Sequence, residues 1–178
     1  MEGYYWAEFS KRRQSGEVRA FKEGKLQVGL ASFSEKHDND LMWTHYAGNS
    51  SGICIEYEYS LLSESVADLN RAILVPMVYS SELIAIGDND TNDREDAVRR
   101  ILRQKKACWA YEEEWRLMAD LKAQHIIDGT ISKIYLGPRI DPRQKERLIE
   151  QAKGVAHAIE VLQMKVSGYE HVWEPVDQ

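Results

Sequence analysis

The sequence predicts an α+β fold: one mixed domain spanning residues 1–178, with a central, largely antiparallel sheet and four or five helices. Two observations lead there. Segments with alternating apolar residues, the period of a half-buried strand, are interspersed with segments whose apolar residues recur at helical spacing, and no linker or repeat divides them. The length of 178 residues is also that of one domain, enough to bury about two-thirds of the surface its unfolded chain exposes.

The elements follow in order. Residues 1–25 form an N-terminal helical segment, in which 3–14, GYYWAEFSKRRQ, reads as an aromatic-rich helix, and residues 26–175 form the core. KLQVGLASFS reads as a strand, because Leu26, Val28 and Leu30 alternate with shorter or polar neighbours. A short helix spans about Asp40 to Ala47, capped by Asn39 or Asp40 and stopped by Gly48-Asn49. GICIEYEY, residues 52–59, alternates Ile53, Ile55, Tyr57 and Tyr59 against Cys54, Glu56 and Glu58, a half-buried strand. AILVPMVY is another strand, with Pro76 marking an edge or a bulge.

From Asn92 a longer helix begins, with Glu95 closing a capping box. Val98, Ile101 and Leu102 form its apolar stripe, and Arg99, Arg100, Arg103, Lys105 and Lys106 crowd the rest. Arg99, Arg100, Arg103 and Lys106 either meet nucleic-acid phosphates or are the solvated and paired charges of an ordinary helix surface. YEEEWRLMAD and SKIYLG read as strands. Asp141 caps the last helix, with Pro142 first, Gln144 closing the box and Gly154 ending it, before AIEVLQMKV supplies a final strand.

Composition narrows the function classes. A net charge of −6 argues against a general DNA-coating protein. Cys54 and Cys108 lack metal-ligand spacing and fit a reducing cytosol. With no apolar run of about 18 residues and no signal-peptide pattern, the expectation is a cytoplasmic protein without membrane contact.

Two segments carry candidate chemistry. On a strand, Glu112, Glu114 and Arg116 share one face and Glu113, Trp115 and Leu117 the other, with Trp115 buried behind the acids. Two such carboxylates lie about 7 Å apart. One can bind a hydroxyl while the other handles an acceptor proton. The same spacing also describes a solvated strand face on which Arg116 pairs with Glu114. In DLMWTHYAG, His45 follows Leu41 by four and Met42 by three, so it shares their inward face, as a site residue or as a core histidine. Trp43 and Tyr46 are three apart and form either an aromatic wall or ordinary packing; stacking a heteroaromatic ring beside a ribose hydroxyl suits this chemistry. Ser32 and Ser34 close the preceding strand where it turns toward a helix N-terminus, as anion-site residues or as turn formers.

The blocks LMWTHYAGNSSGICIEYE, KKACWAYEEEWRLM and ISKIYLG, in that order, resemble a widespread bacterial family, domain of unknown function 2971. That family shows a serine before a Met-Trp-x-His-Tyr helix, a glycine-initiated strand and a Trp-x-x-Glu-x-Glu-x-Arg strand. These fall on Ser34, Met42, Trp43, His45, Tyr46, Gly52, Trp109, Glu112, Glu114 and Arg116, and the resemblance covers residues 26 to 175. The family's usual aromatic-basic-Tyr strand and Phe-Asn-Asp-Pro segment are missing from residues 1–21.

A serine-bearing strand followed by a Glu-x-Glu strand is similar to the arrangement in ADP-ribosyltransferases, which cleave NAD through an oxocarbenium-like state. That similarity implies an ADP-ribosyltransferase-like fold with Glu114, Glu112 and His45 as catalytic residues. Ser34, Trp43, Tyr46 and Arg116 would hold NAD, and no metal is needed. Glu114 would bind the ribose 2′-hydroxyl and Glu112 would serve the acceptor. For the cationic or imidazole group of the missing first strand three alternatives stand: His45 substitutes, another chain completes the site, or the protein is a degenerate binding relative. The implied setting is a toxin or phage-defence effector that modifies protein, RNA or DNA, with an antitoxin as partner. The competing expectations are a non-enzymatic partner-binding module and a nucleotide hydrolase using the Glu pair.

Overall fold

The computed structural model describes residues 27–69, 72–82, 94–120 and 131–176, together with Glu23. The helix expected at 3–14 and the cap expected at Asn92 lie outside the described residues. In chain order the elements are β1 (Val28–Ser34), α1 (Asp40–Tyr46), β2 (Ile53–Tyr57), α2 (Tyr59–Ala67), β3 (Ile73–Pro76), β4 (Val78–Ser80) and α3 (Arg94–Leu102). There follow β5 (Gln104–Lys106), the 3₁₀ turn η1 (Ala107–Glu112), β6 (Glu114–Asp120), β7 (Ile131–Leu136), α4 (Pro142–Lys153), β8 (Glu160–Ser167) and β9 (Glu170–Pro175). The class is α+β, and among the described residues the strands pair mostly antiparallel, in three sheets. The described residues fall into two compact units, one within Met1–Glu35 and Leu69–His125, the other within Lys36–Asp68 and Ile126–Gln178. Among them no helix is long and apolar enough to cross a membrane.

The first unit is built on the sheet β1-β6-β3, with both pairs antiparallel and β6 central. Opposed residues share a face, so Val28, Ile73, Val75 and Met118 form one apolar surface. Ala97, Val98, Ile101 and Leu102 of α3 recur at helical spacing and pack on that surface. Burying one such aliphatic side chain contributes about 1.5–3 kcal/mol. Pro76 ends the edge strand β3, where its missing N–H breaks no ladder bond.

Two expectations change in this unit. The helix expected to run through Lys106 ends at Leu102, and Gln104–Lys106 instead pairs in parallel with β4, placing Tyr79 opposite Lys105. The strand expected from Tyr111 begins only at Glu114. Residues 107–112 are a 3₁₀ turn, and Glu113 takes the left-handed conformation, φ 43° and ψ 51°.

The second unit has the sheet β2-β7-β8-β9, with β7 and β8 parallel and the rest antiparallel. Parallel neighbours need a crossover, which α4 supplies. Asp141 starts α4 by accepting from the N–H groups of Arg143 (3.0 Å) and Gln144 (3.1 Å), with Pro142 in the first turn and Gly154 at the end. Leu148, Ile149 and Ala152 of α4 cover Ile134, Leu136 and Val161. The alternate residues Tyr135, Leu162 and Met164 lie on the other face and pack with Trp43. A sheet covered on both faces explains the dense apolar runs of β7 and β8.

Asn39 caps α1 through Leu41 N–H and Met42 N–H. The strand expected through Tyr59 stops at Tyr57 after a bulge, and Tyr59 opens α2, which buries Leu62 and Val66 one helical turn apart. Gly48, Asn49 and Ser50 are all left-handed, at φ 56°, 57° and 63°. Their N–H groups close the end of α1: Asn49 donates to Thr44 O and Ser50 to Trp43 O. The turn lies against Gly137, where an added Cβ would stand 2.3 Å from Ser50 O, so only glycine fits there.

Candidate functional site

The first unit holds the candidate site. Glu114, Arg116 and Met118 alternate along β6 and so share the face covered by α3. That placement reverses the expectation that Trp115 is buried behind acids that open into a cleft. Glu114 is 5 % and Glu112 2 % exposed, whereas Trp115 is half-buried, its indole N–H donating to Glu35 Oε1 at 2.6 Å. Glu112 and Glu114 do not converge through strand periodicity, since Glu112 lies on η1. The left-handed Glu113 swings the chain so that both carboxylates meet the Lys105 ammonium.

Glu114 is fully engaged. Its Oε1 accepts from Ser32 Oγ and Arg116 Nε, each at 2.7 Å. Its Oε2 accepts from Lys105 Nζ at 2.8 Å and Arg116 Nη2 at 3.5 Å. Its backbone N–H donates to the Tyr79 hydroxyl oxygen at 2.7 Å. Arg116 is anchored further through Nη1 to Leu102 O, at the end of α3. Ser34 lies opposite Glu114 across the β1–β6 ladder and donates to Glu112 O at 2.8 Å. The Lys105 ammonium also lies 5.5 Å from the centre of the Trp109 ring.

The electrostatics follow from these contacts. Burial pushes the Glu114 carboxyl up, but bonds from Arg116, Lys105 and Ser32 outweigh it and hold the group below its ordinary range. Burial pushes the Lys105 ammonium down, and its bonds to Glu112 and Glu114 overcome that and raise it. Burial also raises the Tyr79 hydroxyl, helped by the Glu114 charge. Two carboxylates face one ammonium and one guanidinium, so the cluster is neutral overall.

The remaining sequence candidates lie in the second unit. His45 is exposed rather than directed inward, because the inward position of this seven-residue helix is taken by Trp43, 3 % exposed. Trp43 packs against Tyr135, Leu162 and Met164 and donates from its indole N–H to His37 O at 2.6 Å. Tyr46 is 63 % exposed and makes an edge contact with His45. The structure therefore gathers Ser34, Glu112, Glu114 and Arg116 in one unit and holds Trp43, His45 and Tyr46 in the other.

Sequence reasoning missed Lys105, Tyr79 and the bond from Ser32 to Glu114. Lys105 was masked by the basic run RRILRQKK, which reads as continuing helix. The pairing of Gln104–Lys106 with β4 joins two separate segments, which local spacing does not carry. Among the described residues no three His, Cys, Asp or Glu side chains are placed to hold a metal ion.

The model of a family described as a protein of unknown function, DUF2971, matches residues 42–117, a stretch that contains Lys105, Glu112, Glu114 and Arg116. No curated protein and no solved structure gives a significant match.

Proposed function

We propose that the chain is an NAD-dependent ADP-ribosyltransferase-like protein whose working carboxylate is Glu114. The observation that carries this reading is the bond from Ser32 Oγ to Glu114 Oε1 across the paired strands β1 and β6. It joins the serine-bearing strand and the Glu-x-Glu segment, which the sequence linked only by analogy. In the proposed reaction the bond between ribose C1′ and the pyridinium nitrogen breaks. The electron pair leaves with nicotinamide, and an acceptor nucleophile bonds to C1′. Glu114 binds the ribose 2′-hydroxyl and stabilises the developing cation, while Glu112 takes the acceptor's proton. Ser34 and Arg116, which lie in the same unit as Glu114, are proposed to help hold NAD, and the acceptor is a protein or a nucleic acid.

A second reading is favoured by the neutrality of the cluster. Two buried carboxylates matched by Lys105 and Arg116 are also what a non-enzymatic binding module would use to fix its fold. One experiment separates the two. The purified protein is incubated with NAD labelled in the adenylate and with cell lysate, and nicotinamide release and label in protein and nucleic-acid fractions are read. Transfer supports the enzyme, and an absence of both NAD binding and NAD consumption leaves the module.

A further inference from the structure

We propose that Lys105 is a gate on Glu114, an internal ammonium that occupies the carboxylate until substrate takes its place. The inference rests on the reading of Glu114 as the ribose-binding group and names how that site is regulated. Its ground is a count of bonds. A carboxylate offers about four lone-pair sites on its two oxygens. Glu114 has two donors on each oxygen: Ser32 and Arg116 Nε on one, Lys105 and Arg116 Nη2 on the other. A substrate hydroxyl can bond there only by displacing one of them. The charge count points the same way, because a neutral cluster does little for a developing cation, and removing one positive charge leaves the site negative.

Of the donors, Lys105 is the one placed to leave. Ser32 and Arg116 belong to the paired strands β1 and β6, and Arg116 is tied a second time to Leu102 O. Lys105 belongs to a three-residue strand whose ladder partner is the equally short β4. It reaches the acids through a flexible stem of four methylenes, with an ammonium that makes point contacts rather than a fork. The groups facing it are Glu112 of η1, Glu114 of β6, Tyr79 of β4 and the Trp109 ring.

The test has two arms on the full chain. In the first, exchange of the Lys105 Nζ signal is followed by nitrogen-15 NMR, assigned by its loss in Lys105→Gln. In the second, initial nicotinamide release from NAD is compared between wild type and Lys105→Met. Lys105→Gln, which keeps a donor without the charge, replaces Lys105→Met should the latter not fold. The expected result is millisecond exchange of the ammonium between a paired and a solvated state, and release at least about tenfold faster in the variant. A static ammonium overturns the gate, as does unchanged or slower release in a folded variant of an active wild type. Exchange with no NAD consumption in any protein removes the transferase reading and leaves the gate. Glu114-dependent release with a static ammonium does the reverse.

Discussion

Replacing Glu114 by glutamine is expected to cost stability as well as activity, and the two losses separate by pH. The side chain is 5 % exposed and receives donors from Ser32, Arg116 and Lys105. An amide keeps one acceptor oxygen, but its NH₂ group then faces donors, and the cluster acquires an uncompensated positive charge. Removing one partner from a buried ion pair costs about 3–5 kcal/mol, a large share of the roughly 5–15 kcal/mol that holds a typical domain folded. The sign with pH is fixed by the lowered Glu114 carboxyl. Its stabilisation is fully present above the ordinary carboxylate value of 4.5 and is lost as pH falls through the lower folded-state value. Urea unfolding of wild type and Glu114→Gln at pH 7 and in steps down to pH 3 should therefore show a gap that narrows on acidification. A gap of constant size across that range would refute the claim that charge pairing is what the substitution removes. Activity is to be compared well below the variant's melting temperature. There the loss of electrostatic stabilisation should lower nicotinamide release by about two to three orders of magnitude.

Further outcomes follow from single contacts. Glu112→Gln should reduce acceptor labelling more than nicotinamide release, measured side by side in one reaction, since its proposed work is on the acceptor. Gly137→Ala places a Cβ 2.3 Å from Ser50 O and should destabilise the chain by at least about 1–3 kcal/mol in urea unfolding. The thiols should also differ. Burial pushes Cys54 up to about 11, with the Glu56 charge adding to it, so only about 0.1 % is thiolate at pH 8. A disulfide reagent in native buffer should modify exposed Cys108 first and Cys54 only on unfolding. Equal rates would contradict that burial.

How much could be read from the sequence varied with how local the cause was. Asp141 and Pro142 announce α4, and Asn39 announces α1, because capping is decided by neighbours within one turn. The alternation in β2 was legible for the same reason, but its end was not: Tyr57 and Tyr59 continue the pattern, and only the structure shows a bulge and a helix start there. The burial of Glu112 and Glu114 was illegible because it depends on α3 covering one face of β6 and on a lysine from a separate short strand. Local spacing put the two acids side by side on a strand, whereas they meet at Lys105 through the kink at Glu113. His45 is a second case. Its spacing from Leu41 and Met42 suggested an inward face, yet Leu41 is itself 47 % exposed, so that face was never the buried one.

The left-handed Glu113 has a consequence for reading any related Glu-x-Glu pair. A central residue inside a true strand would favour a β-branched or aromatic side chain. At φ 43° such a side chain is strained, and the same joint favours glycine, asparagine or aspartate. Proline, whose ring locks φ near −65°, cannot adopt it. The middle letter thus reports the geometry of the outer two. A relative carrying Glu-Gly-Glu or Glu-Asn-Glu keeps the kink that turns both acids onto one cation, whereas Glu-Val-Glu or Glu-Ile-Glu belongs on a straight strand with its acids side by side.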